Sequence, residues 1–518
     1  MKTPSSDLHE LIRSLSPSEK RYFKLQSSLQ AGDKAYTNLF DAISSQEKFD
    51  EEELKKKLKK DAVLGYLPKA KHKLYRLILK TLRNFHADTS VSVEIKNNLL
   101  DLEILSRKGL FKQCKKLISS VKKTIYNYEK YELLPYTLMW ETSVLNKSSD
   151  FEKQDKIAKE AKANLELLEN INDYSRINSR LGLLGQKTGL ARSTNDLKEI
   201  EQLIKDPLMA NWSNARSLRA KQSFCAIYAF YYFLKRDMPN TLIHIKKRVQ
   251  LYESSPAELH KSSSHYISAV ANLMATQYHL FEEQYTKQIY NDFVSTLQKI
   301  KTIKPGSKYE EIMIFRAASS AELSMHIKTG NFEQGLLTVS RVEAGIIKYK
   351  SDLNEYNLLI IYWGIIVVYF GAQKYRDALR TLNILLNQDE QRFGQDIYCF
   401  AKLFNLIIHL ELGNESFINS TLKSTYHYFS KRKRLYKFEK IVLTFLKKIS
   451  SASGDKREML SAYKELRTEL IELLKDPYER SVFQNFDLIL WLESKMEQRP
   501  FAEMVRERFL ADMKRKNA

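Results

Sequence analysis

The stretch YWGIIVVYFGAQKYRDA, Tyr362 to Ala378, decides the fold. Its first half places Tyr362, Ile365, Ile366 and Tyr369 three and four apart, the spacing of one helix face. The segment around Gln373 then breaks the pattern, and Tyr375, Ala378, Leu382 and Leu385 resume it. A helix, a tight turn and a second helix, with the small residue Ala378 letting the two approach closely, account for every one of these positions. Related stretches occur at Gly109 to Cys114, GLFKQC, and at Gly330 to Gly335, GNFEQG.

Placing each turn by a small or polar residue followed by an aromatic one gives Gly109, Ser149, Gly189, Asp237, Glu283, Gly330, Gln373, Gly413, Gly454 and a last turn near Arg499. The intervals of about 40 to 48 residues are those of helical-hairpin repeats. At 518 residues the chain is longer than one compact core serves, so an open-ended stack is expected. Composition agrees with a helical protein: 43% of residues are apolar and 28% charged, with 15 glycines and 10 prolines in the whole chain.

The run from Leu358 to Ala372 carries no charge. It is shorter than the ~20 residues of a membrane span and leads directly into the Tyr375 and Ala378 pattern, so it is expected to be a helix buried on both sides. Cys114, Cys225 and Cys399 lie far apart, without a CxxC pair or a histidine at ligand spacing, and read as small buried residues. The N-terminal MKTPSSDLHE has no apolar core of a signal peptide, and a cytoplasmic location is expected.

Residues 1–90 differ from the rest and read as a small N-terminal helical domain, either a cap on the stack or helix-turn-helix-like. Ser16-Pro17-Ser18-Glu19 is a helix start, with a serine cap, a proline in the first turn and a glutamate able to reach back. Asp50 with Glu53 repeats that logic, and Leu67-Pro68 opens a long helix to about His86 with Leu74, Ile78, Leu82 and Phe85 on one face. Opposite that face, Lys69, Lys73, Arg76, Lys80 and Arg83 form a basic stripe at a pitch suited to a phosphate backbone. A solvated helix face explains the same spacing, as does an acidic protein partner. The net charge of +22 is spread along the chain and does not choose among these.

The repeats at residues 91–518 are similar to tetratricopeptide repeats, in which the first helix carries two adjacent packing positions and the second begins near an aromatic and a small residue. The copy at Tyr362 to Leu385 matches best, whereas those at Gly109 and Gly330 keep only the second helix of the pattern. The chain as a whole also resembles uncharacterised bacterial helical-repeat proteins, from which no activity is carried over. The resemblance implies an all-α, right-handed α-solenoid of about ten helical hairpins that binds a protein or peptide. With the first helices lining the concave side, Tyr232, His265, Asn272, Trp363, Phe370, Asn405 and His409 are the groove residues expected to meet a partner.

Catalysis finds no motif: there is no phosphate-cradling glycine loop, no HExxH, no GxSxG and no metal-spaced Cys or His cluster. His260 and His265 are five apart and share no helix face. The expectation is a non-enzymatic scaffold without cofactor or metal, not inserted in a membrane. The alternative is a nucleic-acid-associated regulator with a basic N-terminal domain and a sensing repeat domain.

Overall fold

A computed structural model describes residues 6–28, 34–59, 61–86, 91–145, 151–188, 194–255, 263–284, 286–350, 352–387, 395–432, 434–451, 455–476 and 479–515. Among them are 24 α-helices and no strand, so the chain is all-α. It divides into two compact units, Met1–Glu169 and Asn170–Ala518, with the division falling inside one long helix.

In the first unit, α1 (Asp7–Ser14), α2 (Pro17–Ser28), α3 (Lys34–Ser44), α4 (Glu51–Lys57) and α5 (Leu67–Phe85) close around their own core. Ile12, Phe23, Leu39, Phe40, Leu74 and Ile78 fill it. The starts of α2 and α4 follow from capping. The Ser16 backbone N–H donates to Glu19 at 2.7 Å while the Glu19 N–H donates to Ser16 Oγ at 3.3 Å, satisfying two donors that a helix start leaves open. At α4, Asp50 Oδ1 accepts from the N–H groups of Glu52 and Glu53, and Gln46 rather than Glu53 serves the Asp50 N–H. Then come α6 (Val91–Arg107), α7 (Phe111–Asn127), α8 (Leu134–Leu145) and α9 (Phe151–Thr188), the last running on into the second unit.

The second unit contains α10 (Thr194–Ile204), α11 (Leu218–Leu234), α12 (Met238–Glu253), α13 (Ser263–Gln284), α14 (Lys287–Thr302), α15 (Lys308–Thr329), α16 (Phe332–Tyr349) and α17 (Glu355–Gly371). It continues through α18 (Tyr375–Leu386), α19 (Gln395–Glu411), α20 (Glu415–Lys431), α21 (Lys437–Ser451), α22 (Lys456–Leu473), α23 (Leu488–Glu497) and α24 (Phe501–Arg515). Helices α13, α15, α17 and α19 each pack on the helix that follows and on the next of the alternating set that ends with α21, and α21 packs on α22.

One turn geometry recurs. Gly109, Arg236, Gly330, Gln373 and Gly413 all take left-handed φ between 59° and 73°. In each case the next residue turns its N–H back to a carbonyl five residues earlier: Leu110 to Leu105, Asp237 to Tyr232, Asn331 to His326, Lys374 to Tyr369 and Asn414 to His409, at 2.8 to 3.1 Å. This is the six-to-one bond that closes a helix C-terminus. Four residues further on sit Cys114, Thr241, Gly335, Ala378 and Ile418, all buried where the second helix crosses the first. The turn expected at Glu283 falls slightly later, since Glu283 still belongs to α13. The one near Arg499 is made by Gln498 at φ 53°. Ser149, Gly189 and Gly454 lie outside the described residues.

The uncharged run of α17 is buried on two sides. Ile361, Ile365 and Val368 pack with α15 and α16, while Trp363, Ile366, Val367 and Phe370 belong to the core shared with α18, α19 and the C-terminal helices. That double contact explains a helix apolar all round. Among the described residues, no helix is long and apolar enough to cross a membrane.

Candidate functional site

The seven expected groove residues separate into two groups. Trp363 and Phe370 do not face an open groove, because the C-terminal part of the same chain lies against them. Trp363 is 8% exposed, its indole N–H donates to the Asn485 carbonyl at 3.1 Å, and its ring meets the edges of Phe400 and Phe404. Phe370 is 1% exposed among Phe404, Phe486 and Phe501. Helix α24 continues this packing, with Phe501 against Phe332 and Phe509 against Phe281 and Tyr290. It also approaches the backbone at Gly330, where a Cβ would stand 2.8 Å from the Ala502 carbonyl and from the Arg506 nitrogen. The left-handed turn residue therefore has to be a glycine, both for its φ and for the seating of α24. On α19, Glu411 receives the Trp491 indole N–H at 2.6 Å and Lys495 at 2.5 Å.

His409 is likewise structural. Its Nδ1 accepts from the Asn414 amide at 3.0 Å, and its ring stacks on Phe417 with centroids 3.8 Å apart. Burial pulls its pKa below the ordinary histidine value, so it packs as a neutral ring. His326, at the same position of its own hairpin, bonds Thr338 at 3.1 Å, and burial lowers its pKa as well. Asn405 is half-buried, with its Oδ1 unpartnered.

The other three residues remain accessible. Tyr232 is half-exposed and stacks on His244 at 5.6 Å, and His244 in turn stacks on Tyr228 at 4.9 Å. His265 and Asn272, on α13, are exposed. The residues of the basic stripe on α5 are all exposed too, and among the described residues none of Lys69, Lys73, Arg76, Lys80 and Arg83 pairs with a carboxylate. Lys73 lies over the Tyr36 ring at 4.7 Å. At 1.5 Å per residue the stripe runs for about 21 Å along α5.

One surface was not marked in the sequence reading. Helices α8 and α9 share an apolar cluster through Leu138, Leu145 and Ile157 and leave between them an open cleft of about 430 Å³. Its residues come from two successive helices, and none belongs to a motif, so only the juxtaposition reveals them.

The cysteines carry no site. Cys114, Cys225 and Cys399 are buried and form no disulfide, and burial pushes Cys225 up to about 11. Among the described residues no three His, Cys, Asp or Glu side chains converge at metal-binding distance. No protein family, curated protein or solved structure matches the chain.

Proposed function

We propose that this chain is a non-enzymatic, cytoplasmic protein- or peptide-binding scaffold. In this reading residues 91–518 carry tetratricopeptide-like hairpins, about ten in number, stacked as in a right-handed α-solenoid. The observation that carries it is the seating of α24: a helix bearing Phe501, Met504, Val505 and Phe509 lies against α15 and the ends of its neighbouring hairpins. Inner helices that accept one amphipathic helix of their own chain have the apolar relief for binding another. The accessible stretch of that surface is the one holding Tyr232, His265 and Asn272, where aromatic, imidazole and amide groups offer stacking and hydrogen bonds to a peptide.

A photoreactive phenylalanine analogue at Asn272 of the full chain, activated in the cells that make it, tests the reading. A protein adduct of discrete mass, lost on Tyr232→Ala, is expected. Absence of any adduct at this position, or adducts to nucleic acid alone, contradicts it.

The exposed, carboxylate-free stripe of α5 favours a second reading, a nucleic-acid-associated regulator. That reading requires binding to duplex or single-stranded nucleic acid that weakens steeply with salt and is removed by charge reversal at Lys73, Arg76 and Lys80. The scaffold reading expects no such binding at physiological salt.

A further inference from the structure

We propose that the cleft between α8 and α9 is a binding site for a neutral, largely apolar small molecule that carries one hydrogen-bond donor. The cleft lies wholly within the first unit, and its volume of about 430 Å³ falls inside the ~300–1,000 Å³ range of small-molecule sites. Among the described residues no charged side chain lines it. The carboxylates of these two helices at Glu141 and Glu160 are both engaged by Lys122, at 2.9 and 2.6 Å. An ionic ligand would therefore lose its hydration and find no counter-charge in the lining.

The polar feature that selects the ligand is Asn164. Its side chain lines the cleft and is only 2% exposed. The amide nitrogen is committed to the Tyr131 carbonyl at 3.2 Å, which fixes the orientation of the amide. Its Oδ1 consequently points away from that bond, is buried, and has no hydrogen-bond partner. Buried amide oxygens are rarely left so, because the lost hydration is not recovered. This oxygen is shielded, so a ligand hydroxyl or N–H recovers it by displacing the aliphatic side chains over it, whereas an acceptor there meets only another lone pair. The other polar lining residues are Thr142 and Gln154, and the rest of the wall is aliphatic, with Met139 and Leu165 at an open rim, 57% and 62% exposed. The site is thus shaped for an apolar ring or chain with a single donor, entering between Met139 and Leu165.

The test compares two probes matched in shape, 1-naphthol, which has the donor, and 1-methoxynaphthalene, which lacks it, titrated at pH 7 against the full chain by fluorescence. The expected result is at least ~10-fold tighter binding of 1-naphthol, with the two probes brought within ~2-fold of each other by Asn164→Leu. Met139→Arg, a change at an exposed rim position that leaves the fold intact, should weaken both probes at least ~10-fold, and it keeps the test valid should the Asn164 variant not fold. Failure of both probes to bind up to their solubility limits overturns the proposal. Equal affinities in the unaltered protein, or binding indifferent to Met139→Arg, overturn it too.

Discussion

Trp363 in α17 and Asn164 in α9 are both buried side chains with a polar edge, and the two edges end differently. The Trp363 indole N–H reaches the Asn485 carbonyl because the segment leading to α23 and α24 covers this face of α17. The Asn164 Oδ1 reaches no described residue. Where the chain supplies its own cover, aromatic side chains interlock and every indole N–H there finds an acceptor, Asn485 for Trp363 and Glu411 for Trp491. Where it does not, an aliphatic cleft and an orphan acceptor remain. The same hairpin material thus yields a closed core in one place and a site that selects a donor in another.

The sharpest way to break this contrast is Ala378→Arg. Ala378 is fully buried where α18 crosses α17, so a guanidinium there has no room and no partner. A loss of about 4 kcal/mol or more in urea unfolding of the second unit is expected. A change under ~1 kcal/mol would mean that α17 and α18 do not close-pack. Trp363→Phe is milder. It leaves an aromatic ring in the core and removes the N–H from the Asn485 carbonyl, which should cost about 1–2 kcal/mol in stability. Affinity for the partner crosslinked at Asn272 should be unchanged, and a selective loss of that affinity would return Trp363 to the binding surface.

Protonation separates the regions as well. Burial holds His326 and His409 below the ordinary histidine value, and for His326 this outweighs the favourable charge of Glu322, with Arg341 and Lys301 acting in the same sense as burial. The unfolded chain takes up these protons near pH 6.5 and the folded chain only at lower pH, so the second unit has its full stability above about pH 7. Stability should fall as the pH drops below 6.5, by at most ~1.4 kcal/mol per pH unit for each histidine, and His326→Gln should flatten the curve. In the first unit Glu19 shifts in the same direction but over a lower pH range and for a different cause. Burial opposes its ionisation, but the Ser16 N–H and His86 outweigh it and hold the carboxyl below its ordinary value. Its contribution is present above the ordinary carboxyl range and is lost only as the pH falls through the lowered value. Chemical denaturation at several pH values, read separately for each unit, checks the shared sign and the two pH ranges. The smallest effect is expected at the cleft rim, where Met139→Ala should change stability by no more than ~0.5 kcal/mol.

The turns were legible in the sequence because the left-handed closure demands either glycine or a tolerant polar residue, followed five residues later by a small or aliphatic one. Gly109, Gly330, Gln373 and Gly413 satisfy that demand locally. The turn at Asp237 was placed by its small polar residue, but the left-handed residue is the preceding Arg236, which no composition rule favours, and Asp237 caps the helix that follows. The groove was less legible. The spacing of Trp363 and Phe370 on α17 is the same whether that face meets solvent or a helix more than a hundred residues away. Only the return of α24, seated on Gly330, decides between the two. The cleft was not legible at all, since Asn164 becomes notable only once its nitrogen is tied to Tyr131 and its oxygen is not.

The account turns on α24 lying against α15 and sharing the core with Trp363 and Phe370 of α17, and amide hydrogen exchange of the full chain measures this most directly. Residues 501–510 should exchange as slowly as residues 361–370 of α17, because both lose protection only when the shared core opens. Exchange of residues 501–510 within seconds, with α17 still protected, would show the face around Trp363 and Phe370 uncovered in solution and would contradict the account.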